Sequence, residues 1–261
     1  MEQQHSEEVS VFKARIKFRK YGIMKFIGHL DVMRFFQKVM RRADIPIAFT
    51  GGYSPHMIMS FAQPLGVGIT SDGEYLDIEL KEPIDSKEAV RRMNQVMVEG
   101  IEIVSFRQIP DDKKYSGMTI VDAADYKVTL LESFKSSDVM LPVPRDWSEK
   151  VDSFMAQPQI VVWKKTKRSE KEVDIKPMIY KMQVSEDNIY LLLATGSEQN
   201  LKPNLVMEAF LSYIGENPEE VPLHFHRLEV YAENSDTSSE EAFVSLESLG
   251  TDIILGVESY E

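Results

Sequence analysis

His29 and His56 are the residues best suited to acid–base chemistry in this chain. An imidazole titrates near pH 6.5, so a pair can act as base and acid around neutrality. Tyr21, Lys25 and Tyr53 are the nearest supporting groups in sequence. Such a set could cleave RNA without a metal. The base would take the 2′-hydroxyl proton and the acid would protonate the leaving oxygen. Both histidines also have structural uses, His29 as a helix cap and His56 as a hydrogen-bonded anchor of its loop. Asp31 with His29 and His56 matches no standard ligand spacing, and no metal site is expected. His224 and His226 fall on one face of the last strand, as a metal pair or as surface positions at a sheet edge.

Phosphate binding is the second chemistry the residues offer. Arg34, Lys38, Arg41 and Arg42 recur at intervals of four, three and one. They form one basic face opposite an apolar stripe of Leu30, Met33, Phe36, Met40 and Ala43. Such a face either holds a phosphate backbone through charge or is simply solvated. Gly51, Gly52, Tyr53 and Ser54, and then Gly66 and Gly68, form two Gly-containing loops. Their amides can cradle phosphate, or they can be tight turns. Neither loop matches a Walker or dinucleotide fingerprint, and there is no GxSxG, HExxH or kinase signature. A second basic cluster, Lys164, Lys165, Lys167, Arg168 and Lys171, follows Trp163. It extends a nucleic-acid track with Trp163 stacking on a base, or it is a solvated hairpin tip.

Charge is unevenly distributed along the chain. The formal total is −12. From Lys13 to Ser60 there are 10 Lys/Arg and 2 acids, a local +8. From Glu216 to Glu261 there is 1 Arg and 12 acids, a local −11. The two ends therefore either attract each other in the fold or leave a basic patch for a polyanion.

The 261 residues suffice for two domains. With no cysteine, disulfides, thiolate metal sites, iron–sulfur ligation and cysteine nucleophiles are excluded. No cofactor is expected. The N-terminal residues lack a signal-peptide pattern, and no apolar run is long enough to span a membrane. A cytoplasmic protein without membrane contact is the expectation.

Alternation and helical spacing set out the elements that must position these residues. The pattern predicts a strand over 11–17, a helix over 30–43, a short strand over 47–49 and a strand over 74–80. A helix over 86–98, with Ser86 as its cap, and a strand over 101–106 follow. Strands over 125–131 and 160–163, helices over 146–155 and 203–214, a hairpin over 181–195 and a last strand over 225–231 complete the pattern. The expected fold is α+β, two tandem ferredoxin-like units, each an antiparallel sheet with helices on one face. The units are placed at residues 10–116 and 120–233, with an acidic tail over 234–261. Val244, Leu246, Leu249 and Ile253–Leu255 could dock that tail on the body.

The run RIKFRKYGIMKFIGHLDVMRFFQKVMRRADIPIAFTGGYSPHMIMSFAQPLGVGITSDGEYLDIEL, Arg15 to Leu80, resembles the radical-SAM-linked protein family, a bacterial domain of unknown function. The GHLD, RRA, GYSPH, SFAQPLGVG and EYLDIEL pieces occur in order. The resemblance continues more weakly through Val173–Pro177 and the last strand. It implies a radical-SAM enzyme as partner and a link to RNA metabolism. A looser likeness, of architecture, is to the CRISPR repeat-processing endoribonucleases, although this chain ends in an acidic stretch where those enzymes carry a Gly-rich loop. The expected function is an accessory module that binds RNA, a radical-SAM enzyme or both. A metal-independent endoribonuclease using His29 and His56, and a pure protein-interaction domain, are the alternatives.

Overall fold

A computed structural model describes residues 12–133, 139–165, 170–235 and 241–256. The first half runs β1 (Phe12–Lys20), α1 (His29–Arg42), β2 (Met59–Phe61), β3 (Thr70–Leu80), α2 (Ser86–Asn94) and β4 (Ile101–Ile109). Its strands lie in the order β4-β1-β3-β2, each antiparallel to its neighbour. A one-turn helix α3 (Gly117–Ile120) precedes the second half. That half runs β5 (Val121–Leu131), β6 (Met140–Leu141), α4 (Trp147–Met155), β7 (Val161–Lys165), β8 (Glu170–Asp174), β9 (Ile179–Ser185), β10 (Asn188–Ala194), α5 (Pro203–Tyr213) and β11 (Leu223–Glu233). Its main strands lie in the order β11-β5-β10-β9. Strands β7 and β8 form a separate two-stranded ribbon. Short strands β12 (Phe243–Ser245) and β13 (Thr251–Asp252) pair with β11 and β4.

The fold is mixed α+β, as expected, but the two halves do not keep separate sheets. Strand β11 runs parallel to β3 over Thr70↔His226 and Ser71↔Arg227. This fuses them into one 11-stranded, mostly antiparallel sheet. β2 covers only the far part of the same β3 edge, pairing Met59 to Phe61 with Ile78 to Leu76. The short β2 therefore leaves the start of β3 for β11. Residues 47–49 give only isolated bridges, Ile47 to Leu80 and Phe49 to Met57.

Each half buries its own core. In β1, Ala14, Ile16 and Phe18 alternate inward and meet Val32, Phe36 and Met40 of α1. The Phe18 and Phe36 rings pack 4.8 Å apart. In the second half Trp147 and Phe154 of α4 meet Phe210 of α5 edge-on, at 5.4 and 5.6 Å. The C-terminal segment returns across both halves. Leu246 is fully buried in the second core, and Ile253 is buried in the first. Ile254 and Leu255 stay exposed. Ile253 N–H donates to Ser86 Oγ at 2.8 Å, so Ser86 serves the tail. The cap of α2 is instead Asp85, whose carboxylate accepts from the amides of Lys87 and Glu88.

The joint is held from within by a buried ion pair. Arg227 Nε and Nη2 each donate to Glu74 at 2.8 Å, and Nη2 also donates to Gln63 O at 2.9 Å. Both side chains are under 5% exposed. Removing one partner of such a pair strands a charge in a dry site at a cost of about 3–5 kcal/mol, whereas an apolar pair of similar volume is near neutral. Arg227→Met is therefore expected to lower the unfolding free energy by about 3–5 kcal/mol in urea titration. Glu74→Leu/Arg227→Met together should recover most of that loss. A double variant no more stable than Arg227→Met would contradict this account of the joint.

Candidate functional site

The basic helix forms where its spacing places it. Val32, Phe36, Val39 and Met40 of α1 are buried, and Arg34, Lys38, Arg41 and Arg42 lie outward and exposed. Asp31 stands in the first turn and Arg41 and Arg42 in the last, both favourable to the helix dipole. Asp31 also pairs with Arg34 at 3.2 Å, so this face does carry one acid. Among the described residues Lys38, Arg41 and Arg42 have no ion-pair partner. Arg41 lines a groove of about 550 Å³ together with Lys81, Asp85, Glu88 and Arg92.

The cations of β1 behave differently. Lys13 meets Asp111 and Glu79, and Arg19 meets Asp72 and Glu102. Lys17 meets Glu229 at 2.6 Å and Glu247 at 2.9 Å. Arg15 is buried, donating to both oxygens of Asp77 and to the carbonyls of Leu246 and Tyr115. Much of the sequence's basic excess is thus neutralised inside the fold, partly by acids of the C-terminal stretch.

His29 opens α1 and sits edge-on to Phe61, ring centroids 5.0 Å apart. Partial burial, and then the nearby Lys20 charge, hold its pKa below the usual 6.5. It is therefore a neutral imidazole at pH 7. Lys20 itself is pushed down by burial and donates to Ile27 O at 2.8 Å. His56 has another task. Its Nδ1 lies 3.0 Å from Thr50 Oγ1, and its backbone N–H donates to the same oxygen at 3.1 Å. Thr50 N–H donates back to His56 O at 2.9 Å. These bonds close the loop on which Gly51, Gly52, Tyr53 and Ser54 stand exposed. Gly52 has φ +94°, a conformation that favours glycine. No hydrogen bond, ion pair or ring contact links His29 to His56 among the described residues.

Gly66 and Gly68 wall a different cavity. It measures about 620 Å³ and is lined further by Asn200, Lys202 and Pro203 at the start of α5, and by Phe225 and Arg227. The Gly68 amide donates to Lys25 O at 2.8 Å, so it is engaged within the fold. Of the second basic cluster, Lys164 and Lys165 belong to β7 and Lys171 to β8, with Lys164 opposite Lys171. Lys167 and Arg168 lie outside the described residues. Trp163 on this ribbon is exposed.

The structure also gathers a cluster whose partners sequence reasoning missed. His224 and His226 share a face of β11, as their alternation indicates, but β11 is not a sheet edge. Thr70 of β3 lies beside them, its Oγ1 3.1 Å from His224 Nε2 and 2.7 Å from His226 Nδ1. His226 Nε2 is 3.0 Å from Asp72 Oδ2. Only the HFH alternation was a local signal, because Thr70 and Asp72 stand about 150 residues away and arrive through the parallel joint. Among the described residues no group of three or more His, Cys, Asp or Glu side chains could hold a metal ion. No helix of the described residues is long and apolar enough to cross a membrane.

By fold this is a mixed α+β protein built on one large, mostly antiparallel sheet. The chain belongs to the family described as uncharacterized proteins conserved in bacteria (DUF2344), whose profile matches residues 13–203. A comparison with curated proteins finds no match.

The state of His29 sets a pH dependence. Its folded pKa lies below its unfolded value, so the unfolded chain takes up the proton first. The fold carries no penalty from this group above about pH 6.5, and loses stability as pH falls from there towards the folded pKa. In urea titrations between pH 7 and pH 5, His29→Gln should lose less stability than the parent. Equal losses would show that His29 is not held neutral.

Proposed function

We propose that this chain is an accessory RNA-binding protein that works beside a radical-SAM enzyme. The single observation that carries RNA binding is the α1 face. Lys38, Arg41 and Arg42 are exposed without ion-pair partners among the described residues, whereas Lys13, Arg15, Lys17 and Arg19 of β1 are paired with acids. Cations without protein partners can exchange counterions for phosphates at little desolvation cost, which favours backbone contact without base reading. The radical-SAM partner is supported by the resemblance of the Arg15–Leu80 run. The chain has no cysteine to ligate an iron–sulfur cluster, so radical chemistry in such a pair would belong to the partner.

We read the scaffold as two ferredoxin-like units fused edge to edge. The matched strand orders, β4-β1-β3-β2 and β11-β5-β10-β9, support that reading, as does the placing of two helices in each half. In this arrangement the exposed Gly51–Ser54 loop, which lies between α1 and β2, would add a flexible contact to the bound strand.

The reading is tested by binding single-stranded RNA across a salt series. Lys38→Glu/Arg41→Glu/Arg42→Glu should bind at least about tenfold more weakly than the parent at low salt. Its log–log salt slope should fall by about two, the share of three phosphate contacts on a single strand. Unchanged affinity and slope would remove α1 as the contact surface. Cleavage of the RNA by the parent, lost in His29→Ala or His56→Ala with binding kept, would instead favour the endoribonuclease alternative.

A further inference from the structure

The chain leaving α1 builds a groove whose charges are not paired with one another. Ile45 N–H donates to Met40 O at 3.0 Å and Asp44 N–H to Arg41 O at 3.4 Å, the two bonds that close a helix on a left-handed residue. That residue is Asp44, at φ +51°, where glycine is usual. Beyond it the chain runs beside the end of β3. Ala48 N–H donates to Glu79 O at 2.7 Å, and Lys81 N–H donates to Pro46 O at 2.8 Å. The end of α1 and the loop from β3 to α2 thus become two walls of the groove of about 550 Å³. Its floor is Met40, Ile45, Ile47, Met57 and Ile84, all buried.

Four exposed charged side chains stand in these walls, Arg41 and Asp44 on one and Lys81 and Glu82 on the other. Among the described residues none of the four has an ion pair, although two are cations and two are acids. The other charges of the groove are engaged. Arg92 meets Glu88 at 2.7 Å, and the Asp85 carboxylate caps α2. Phe49 adds an aromatic wall. It is 41% exposed, and Lys81 Nζ lies 5.2 Å from its ring centroid. A ring face attracts an ammonium by its quadrupole, so the Lys81 protons stay available to a carbonyl oxygen. Free donors, free acceptors and an aromatic surface in one groove suit a planar ligand that both donates and accepts. A phosphate would meet Asp44 and Glu82 as like charges.

We propose that this groove takes an unpaired guanine of the RNA strand held by α1. The inference rests on the α1 reading, because Arg41 belongs both to that basic face and to the wall of the groove. Guanine presents N1–H and N2–H side by side, which a carboxylate, an acceptor only, can take together. Its O6 and N7 accept from arginine or lysine. Adenine and uracil have no such pair of adjacent donors. Phe49 supplies the stacking surface on which a splayed base rests. The volume lies within the range of ligand sites. A base paired in a duplex cannot enter the groove, so the RNA is single-stranded at this point. The same contact gives a use to the Asp44 carboxylate at a position that glycine would fill more easily.

Fluorescence anisotropy of the full chain tests it, using labelled uridine oligomers that carry one central G, A or U. The parent is expected to bind the G oligomer about tenfold tighter than the other two. Asp44→Gly/Glu82→Gln should lose that preference. Its urea midpoint should be no lower than the parent's, because both residues are exposed and glycine suits φ +51°. Phe49→Ala should weaken binding of the G oligomer about fivefold or more. Lys38→Glu/Arg42→Glu, which spares Arg41, should weaken all three oligomers alike and keep the guanine ratio. Salt-dependent binding with equal affinity for the three oligomers would overturn the guanine site and leave the α1 reading standing. A guanine preference that survives in Asp44→Gly/Glu82→Gln would overturn it as well. No binding of any oligomer would remove both readings.

Discussion

The buried Glu74–Arg227 pair is the constraint on which this architecture turns. A guanidinium and a carboxylate, each almost fully enclosed, hold β3 and β11 together from one side of the sheet. Burial opposes the charge on Glu74, and the bidentate geometry offsets it. Backbone contact at the same place is equally close. A Cβ on Gly73 would come within 2.8 Å of Glu229 Cα and Leu228 O, so β11 can approach β3 only because residue 73 is glycine. An apolar pair could supply similar stability. An ion pair with fixed donor directions tolerates only one register, which suits a short parallel joint of two residue pairs.

That joint organises electrostatics on the opposite face. Glu229, just past the bulge in β11, accepts from Lys17 and from the Tyr75 hydroxyl at 2.7 Å. Glu247 from the returning tail meets the same lysine. Arg15 draws Asp77, the tail carbonyl of Leu246 and the connecting-segment carbonyl of Tyr115 to one point, and the Gly117 amide donates to Asp77 at 2.7 Å. Three distant stretches of chain therefore share one charged layer. Opposite charge at the two ends of the sequence meets in the fold at Lys17, which pairs with Glu229 and Glu247.

What was legible locally was legible well. The apolar stripe of α1, the alternation in β1 and β3 and the helix over 203–214 all lie near the observed ends, because each is fixed by neighbours a few residues away, whereas α2 ends at Asn94, short of the expected 98. What was hidden depends on long-range pairing. β2 is three residues long and has little period to detect. The parallel joint pairs residues 156 apart, and nothing near Thr70 announces His226. The role of Ser86 was misread because its hydroxyl answers Ile253, 167 residues on. The His29 and His56 loop was conspicuous in sequence for its density of special residues, yet much of that density closes the Thr50–His56 loop and seats the helix start on Phe61.

The 3-10 turn over Gly22–Phe26 connects the junction of the two halves with the start of α1. Its Tyr21 and Lys25 ends line a cavity at that junction, and Lys25 O accepts from the Gly68 amide of the neighbouring loop. Two residues beyond Phe26, Gly28 caps α1, so any displacement of the turn reaches the first helical residue, His29, through a short span. His29 is itself held by Phe61 at the end of β2, and Gly100 packs against Met24 closely enough that a Cβ would fall within 2.6 Å. The turn is therefore clamped between β4, β2 and the Gly66–Gly68 loop.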